Sequence, residues 1–108
     1  MRTEKNDTFA TAFNCMDGRC QDAVARYMRG KHSVTWVDKI NEPGLDGILA
    51  GKTVHATQPH GIIEWLRFKA EVSAKGHGSR HAVVVGHVKC AGNNVSDDEH
   101  LEIGRAHV

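Results

Sequence analysis

The amino-acid sequence predicts an α/β fold: a single domain with a parallel central sheet flanked by helices. Three observations predict it. Strand-like and helix-like stretches alternate in the order β-α-β-turn-α-β-α, the pattern of parallel strands joined by crossovers. The run His81-Ala82-Val83-Val84-Val85-Gly86 is short and almost wholly apolar, as expected of a strand buried on both faces. At 108 residues the chain can build one small core and not two.

Residues 1–7 are polar and are expected to fray. Thr8-Phe9-Ala10-Thr11-Ala12-Phe13 alternates and leads into Asn14-Cys15, so the first strand is expected over 8–15. Ala23, Val24, Tyr27 and Met28 then recur at helical spacing. They predict a helix over 21–29 that Gly30 stops, with Asp22 near its start and Arg26 and Arg29 near its end to suit the dipole. Residues 32–40 are rich in β-branched and aromatic side chains and predict the second strand, which Asn41-Glu42-Pro43-Gly44 ends. A short helical turn is expected over 45–50, broken by Gly51.

Thr57 is the expected N-cap of the next helix, with Pro59 at an early position. That helix is predicted to reach about Lys75, with Ile62, Ile63, Leu66, Ala70 and Ala74 facing inward and Glu64, Arg67 and Glu71 outward. Gly76-His77-Gly78 ends it, and 81–86 is the third strand. Ser96-Asp97-Asp98-Glu99 reads as a capping box opening a last helix. The terminal Glu102-Ile103-Gly104-Arg105-Ala106-His107-Val108 matches a sequencing-library adapter translated in frame. The domain is therefore expected over 1–101, incomplete at its C-terminus, with 102–108 an adapter-derived artefact. A sheet short of a strand and a covering helix would leave apolar surface open and the chain poorly soluble.

Composition narrows the function classes. Fourteen basic and thirteen acidic residues give a net charge of +1, which argues against nucleic acid or an anionic membrane as a partner recruited by bulk charge. No apolar run is long enough to span a bilayer. The N-terminus has no apolar signal region, so a cytoplasmic location is expected. Three cysteines without framework spacing favour thiol or metal chemistry over disulfides, and the absence of a C-x-x-C pair disfavours redox exchange.

The chemistry-bearing residues fall at two strand ends. Cys15, Asp17 and Arg19 sit at alternate positions where the first strand becomes a loop; His87 and Cys90 follow the third strand. With the first strand central (order 2-1-3), the loops after strands one and three diverge across a switch point, where open α/β sheets bind ligands. Two thiolates and an imidazole with an open fourth position form a catalytic zinc set. Asp17 could accept a hydrogen bond from a zinc-bound water, and Arg19 could keep Asp17 ionised and off the metal. Gly18 would allow the turn between them, and Gly86 close packing beside the metal. The plainer readings stand beside this one: Cys15 as a buried strand cysteine, Asp17–Arg19 as a loop ion pair, His87 as a satisfied strand-end histidine. Cys20 reads as a half-buried helix residue, Trp36 and Trp65 as core or interface, and His55, His60 and His77 as solvated.

Taken together, Cys15-x-Asp17-x-Arg19 and Val84-Val85-Gly86-His87-x-x-Cys90-Ala91-Gly92 resemble the paired motifs of the β-class carbonic anhydrases. Asn14-Cys15-Met16-Asp17-Gly18-Arg19 and Glu42-Pro43-Gly44 are most similar to a compact subgroup of small bacterial proteins in that family. The resemblance implies a β-carbonic anhydrase-like sheet with the first strand central. It implies one Zn2+ per chain on Cys15, His87 and Cys90, with Asp17 and Arg19 as a catalytic dyad. The implied reaction is reversible hydration of CO2 to bicarbonate by a zinc-bound hydroxide, in a homodimer or higher homo-oligomer. Related readings of the same site are hydrolysis of CS2 or COS, or a non-catalytic zinc-binding module in which Asp17 ligates the metal. The sequence departs from the usual pattern at Gly18, often Ser, and at Asn41-Glu42-Pro43-Gly44, often Arg-Asn-Ala-Gly, so Glu42 is expected to face the crevice.

Overall fold

A computed structural model describes residues 7–87. Cys90, the helix expected after Ser96 and residues 102–108 lie outside them. The chain forms strand β1 (Phe9–Cys15), a 3-10 turn (Gly18–Cys20), helix α1 (Gln21–His32) and strand β2 (Trp36–Glu42). Helix α2 (Leu45–Leu49), helix α3 (Ile62–Glu71), a π-helical turn (Val72–Gly76) and strand β3 (Ala82–Val84) follow.

The sheet is parallel throughout, in the order β2-β1-β3. Central β1 runs beside β2 from Phe9↔Trp36 to Cys15↔Glu42, and beside β3 from Thr11↔Ala82 to Phe13↔Val84. Alternation along β1 divides the core in two. Ala10 and Ala12 are fully buried on one face, where their small side chains let Val24 and Met28 of α1 pack close, with Val37, Val83 and Val85 around them. On the other face Ile40, Leu45, Ile48, Ile62 and Leu66 form the second cluster, against Phe13.

Polar bonds tie the π-helical turn after α3 to the sheet beside this second cluster. Buried Ser73 exchanges a hydrogen bond with Thr11 Oγ1 (2.6 Å) and donates to Asp38 Oδ2 (2.7 Å). His77 Nδ1 meets the same Asp38 oxygen at 2.7 Å, and its ring stacks on Phe9. His77 is therefore partnered, where a solvated histidine was expected.

Several boundaries differ from expectation, each for a local reason. Gly30 does not stop α1. The helix absorbs it, at a cost of about 1 kcal/mol relative to Ala, and ends at Ser33, which takes the left-handed conformation (φ 53°). Strand β2 begins late, at Trp36, and carries Asn41 and Glu42 inside it, because pairing with β1 continues to Cys15. Thr57 does not cap α3. It belongs to a turn in which His55 Nδ1 bonds Thr57 Oγ1 (2.7 Å) and accepts from its N–H (3.1 Å), and α3 starts at Gly61 without a side-chain cap.

The inward face of α3 and the π-helical turn that continues it is centred on Ile62, Leu66 and Ser73; Ile63 and Ala74 lie off its edge and are exposed. The run at 81–86 is not buried on both faces. Only Ala82–Val84 pair, at the sheet edge among the described residues, with Ala82 exposed and the valines half-buried. Trp36 and Trp65 are exposed, so neither belongs to this core.

Candidate functional site

Strand β1 delivers Asn14 and Cys15 to the carboxyl end of the sheet, both buried. The chain then bends through Met16 and Asp17 into the 3-10 turn. Asp17 caps that turn: its Oδ1 accepts from the backbone N–H of Arg19 at 2.8 Å. The Arg19 side chain closes on the same carboxylate, with Nε donating to Oδ1 (3.0 Å) and Oδ2 (3.1 Å) and Nη2 donating to Oδ2 (2.6 Å). The spacing explains the geometry. A two-residue step through a tight turn puts backbone donor and guanidinium fork on one side, so one residue supplies all four bonds.

The electrostatics follow from those bonds. The Arg19 guanidinium, then its backbone N–H, hold the Asp17 carboxyl well below the usual carboxylate range, and a charged His87 would lower it further. Reciprocally, Asp17 holds Arg19 charged, and the Cys15 thiol lies within electrostatic reach of it. Asp17 is 19% exposed and Arg19 is 65% exposed, so the carboxylate is the sheltered partner.

Two residues outside the predicted set brace the loop. Gln21 Nε2 donates to the backbone oxygens of Cys15 (2.8 Å) and Asp17 (3.0 Å). The Cys20 thiol donates to Asp17 O (3.1 Å) and Asn14 Oδ1 (3.3 Å). Burial, then the neighbouring Cys15 and Asp17, push the Cys20 thiol up, which suits its place as a hydrogen-bond donor to the loop. The half-buried environment matches expectation, although Cys20 lies in the 3-10 turn just before α1. An asparagine is unusual inside a strand, and this was the one sequence signal for Asn14. Gly18 has ordinary φ and room for a Cβ, so the turn does not require glycine there, contrary to expectation.

His87 is half-buried, three residues beyond β3, and lies near enough to Asp17 for a charge on its ring to act on that carboxylate. The structure thus brings Cys15, Asp17, Arg19 and His87 to one end of the sheet. Thiolate and imidazole are donor types that zinc takes, and the buried Cys15 supplies one of them from a rigid strand end, so the donors present fit zinc in their chemistry. Among the described residues no group of three His, Cys, Asp or Glu side chains is placed to hold a metal ion; Cys90 lies outside them.

Glu42, opposite Cys15 in register, lines a cavity of about 440 Å3 with Pro43, Ile48, Val54, His55 and Ile62. None of Cys15, Asp17, Arg19 and His87 lines this cavity, so it is not the switch-point crevice that Glu42 was expected to face; Glu42 also pairs with Lys69 at 3.7 Å. Among the described residues no helix is long and apolar enough to cross a membrane.

Comparison with curated proteins and with solved structures returned no match. A family model does match, over residues 5–107, under the description "Putative carbonic anhydrase". That span takes in both halves of the site and every element of the fold, and the chain belongs to this carbonic anhydrase-like family.

Proposed function

We propose that the protein is a zinc-dependent carbonic anhydrase that hydrates CO2 reversibly to bicarbonate, with Cys15, His87 and Cys90 as the metal ligands and Asp17 and Arg19 as the catalytic dyad. The observation that carries this reading is the fourfold clamp of residue 19 on the Asp17 carboxylate, two residues beyond the buried Cys15 and across the switch point from His87. Cys15, His87 and Cys90 would hold the zinc, which when bound would supply Lewis acidity to activate water near neutral pH.

The chain's own groups then set direction. An Asp17 carboxylate held so far below its usual range is a poor proton acceptor but a permanent hydrogen-bond acceptor, so its role is to orient the attacking water. Arg19 occupies both Asp17 oxygens, which favours orientation over ligation and speaks against a resting state with Asp17 on the metal. Gln21 and Cys20 hold the backbone of the loop, so the carboxylate keeps its aim without rearrangement. The chemistry takes a small molecule and calls for neither nucleic acid nor membrane.

Stopped-flow CO2 hydration by the zinc-loaded full chain tests the reading. Turnover with one zinc per chain is expected. Cys15→Ser protein prepared alongside should retain neither zinc nor activity; full zinc retention in that variant would remove Cys15 from the ligand set.

A further inference from the structure

Two asparagines face each other where the sheet ends. Asn14 of β1 and Asn41 of β2 are in register, one step before Cys15 and Glu42 close the pairing. Asparagine is a poor strand former, so two at one level call for a reason beyond the backbone. In-register partners on adjacent strands project to the same face, about 4.8 Å apart. That face is the one α1 covers. Asn14 follows Ala10 and Ala12 of the α1 cluster at alternate positions, and Asn41 follows Val37 of the same cluster. Between Val37 and Asn41, Lys39 Nζ donates to the backbone oxygen of Gln21, which ties β2 to the start of α1.

One atom of each amide is stranded. Asn14 is fully buried, and its Oδ1 accepts from the Cys20 thiol at 3.3 Å. Asn14 Nδ2 is sealed from solvent with no hydrogen-bond partner among the described residues, and the same holds for Asn41 Oδ1. One orphan is a donor and the other an acceptor, and the two do not bond each other directly. Leaving either unmade in a buried site costs more than a made bond contributes. A single water between them accepts from Asn14 Nδ2 and donates to Asn41 Oδ1, which satisfies both. The surroundings are polar enough to hold it. The Cys20 thiol lies on one side, and the Lys39 ammonium is close enough to act on that thiol electrostatically.

The contacts continue into the loop. The thiol that meets Asn14 Oδ1 also meets the backbone oxygen of Asp17, at 3.1 Å. Beside it the Met16 N–H donates to the backbone oxygen of Glu42 at 3.3 Å. Strand β2, the two amides, Cys20 and the Asp17 turn thus form one connected chain. We propose that Asn14 and Asn41 are positioning residues, coupled through one bound water, that hold the loop from Cys15 to Arg19 in place against β2. They act through Cys20 and the main chain of the loop, not on the reacting atoms. Their bearing on catalysis rests on the roles proposed for Cys15 and Asp17; the pairing itself does not.

Asn14→Leu, Asn41→Leu and the double variant of the full chain test this, first without metal. Leucine keeps the branched shape and removes both polar atoms. Either single change strands the other amide, so each should lower the urea midpoint, and the double variant should lower it by less than the two losses together. Amide hydrogen exchange then separates position from stability. Met16 and Cys20 carry the reporting N–H groups, and those of Thr35 and Trp36, bonded to Thr8 at the other end of the sheet, are the reference. Exchange at Met16 and Cys20 should quicken by about tenfold relative to the reference in each variant, and stay fast in the double variant although its midpoint recovers. At matched zinc content, kcat for CO2 hydration should fall by about tenfold in each variant with KM within about twofold, and the double variant should be no slower than Asn14→Leu. Midpoint losses that add overturn the coupling. A crystal structure with no water within hydrogen-bond distance of both amides overturns the bridge. Exchange at Met16 and Cys20 that only follows the midpoint overturns the positioning role, and so does an unchanged kcat. A wild type without turnover removes the proposed reaction instead, and the midpoints and exchange rates still decide the pair.

Discussion

Replacing Arg19 with Gln removes three of the four hydrogen bonds that hold the Asp17 carboxylate. The guanidinium supplies those at 3.0, 3.1 and 2.6 Å; the fourth, at 2.8 Å, comes from the backbone N–H of residue 19 and survives any side-chain change. The two kinds of bond, in that order, are what depress Asp17. Its titration should therefore rise in the variant toward the ordinary aspartate value of about 3.9 and stop short of it, because the backbone donor remains. Carbon-detected NMR of the Asp17 carboxyl in the metal-free chain reads this directly. The wild-type resonance should stay flat down to about pH 3, where an ordinary aspartate would already be mostly protonated. Arg19→Lys should lie between, since a point charge replaces the planar fork. Activity of the zinc-loaded Arg19→Gln protein should fall by about 100-fold with zinc content unchanged, the usual cost of a misaimed group near the reacting atoms. A wild-type Asp17 that titrates as an ordinary aspartate would refute the clamp. A variant with an unchanged inflection would refute the assignment of its cause.

Other consequences follow from the fold. Leu66 is 2% exposed at the centre of the cluster beneath α3, so Leu66→Ala should cost about 2–5 kcal/mol by urea denaturation; a loss under about 1 kcal/mol would mean the cluster is not packed as described. Ser73→Ala leaves Thr11 and Asp38 short of a buried partner and should cost about 1–3 kcal/mol, whereas a neutral effect would place the network in water. His32 stacks on His81 at 4.2 Å, and desolvation, then the His81 charge, hold its pKa below the usual imidazole value. The unfolded chain thus binds the proton more readily. This contribution to stability is complete above about pH 6.5 and is lost as pH falls through that value toward the folded pKa. Denaturation midpoints at neutral and mildly acid pH should diverge less in His32→Phe than in the wild type, and equal divergence would contradict the assignment.

The sheet order and the strand-end placement of Cys15 and His87 were legible in sequence because alternation, turn residues and crossover logic all act locally or by simple topology. The Asp17–Arg19 pair was legible for the same reason, since both partners lie in one turn. The bracing by Gln21 and Cys20 was not. Their bonds run back to main-chain oxygens of Cys15 and Asp17, and no spacing rule marks a backbone acceptor. The start of α3 was misplaced because Thr57 has the chemistry of a cap but spends it on His55. Gly30 looked like a stop signal, yet pairing and packing outweighed its small local cost. The valine run at 83–85 looked doubly buried by composition alone, which cannot distinguish a fully buried strand from one that is half-buried, as this one is among the described residues.

The most direct test of the proposed chemistry is the CO2 hydration rate of zinc-loaded Asp17→Asn protein, measured by stopped flow beside the wild type at matched zinc content. Asparagine keeps the shape of the side chain but loses the charge and one acceptor oxygen, and its amide turns a donor toward the Arg19 donors. A wild-type rate well above the metal-free background, falling by about 100-fold or more in the variant, is the predicted result. Equal rates in the two proteins at the same zinc content would contradict it.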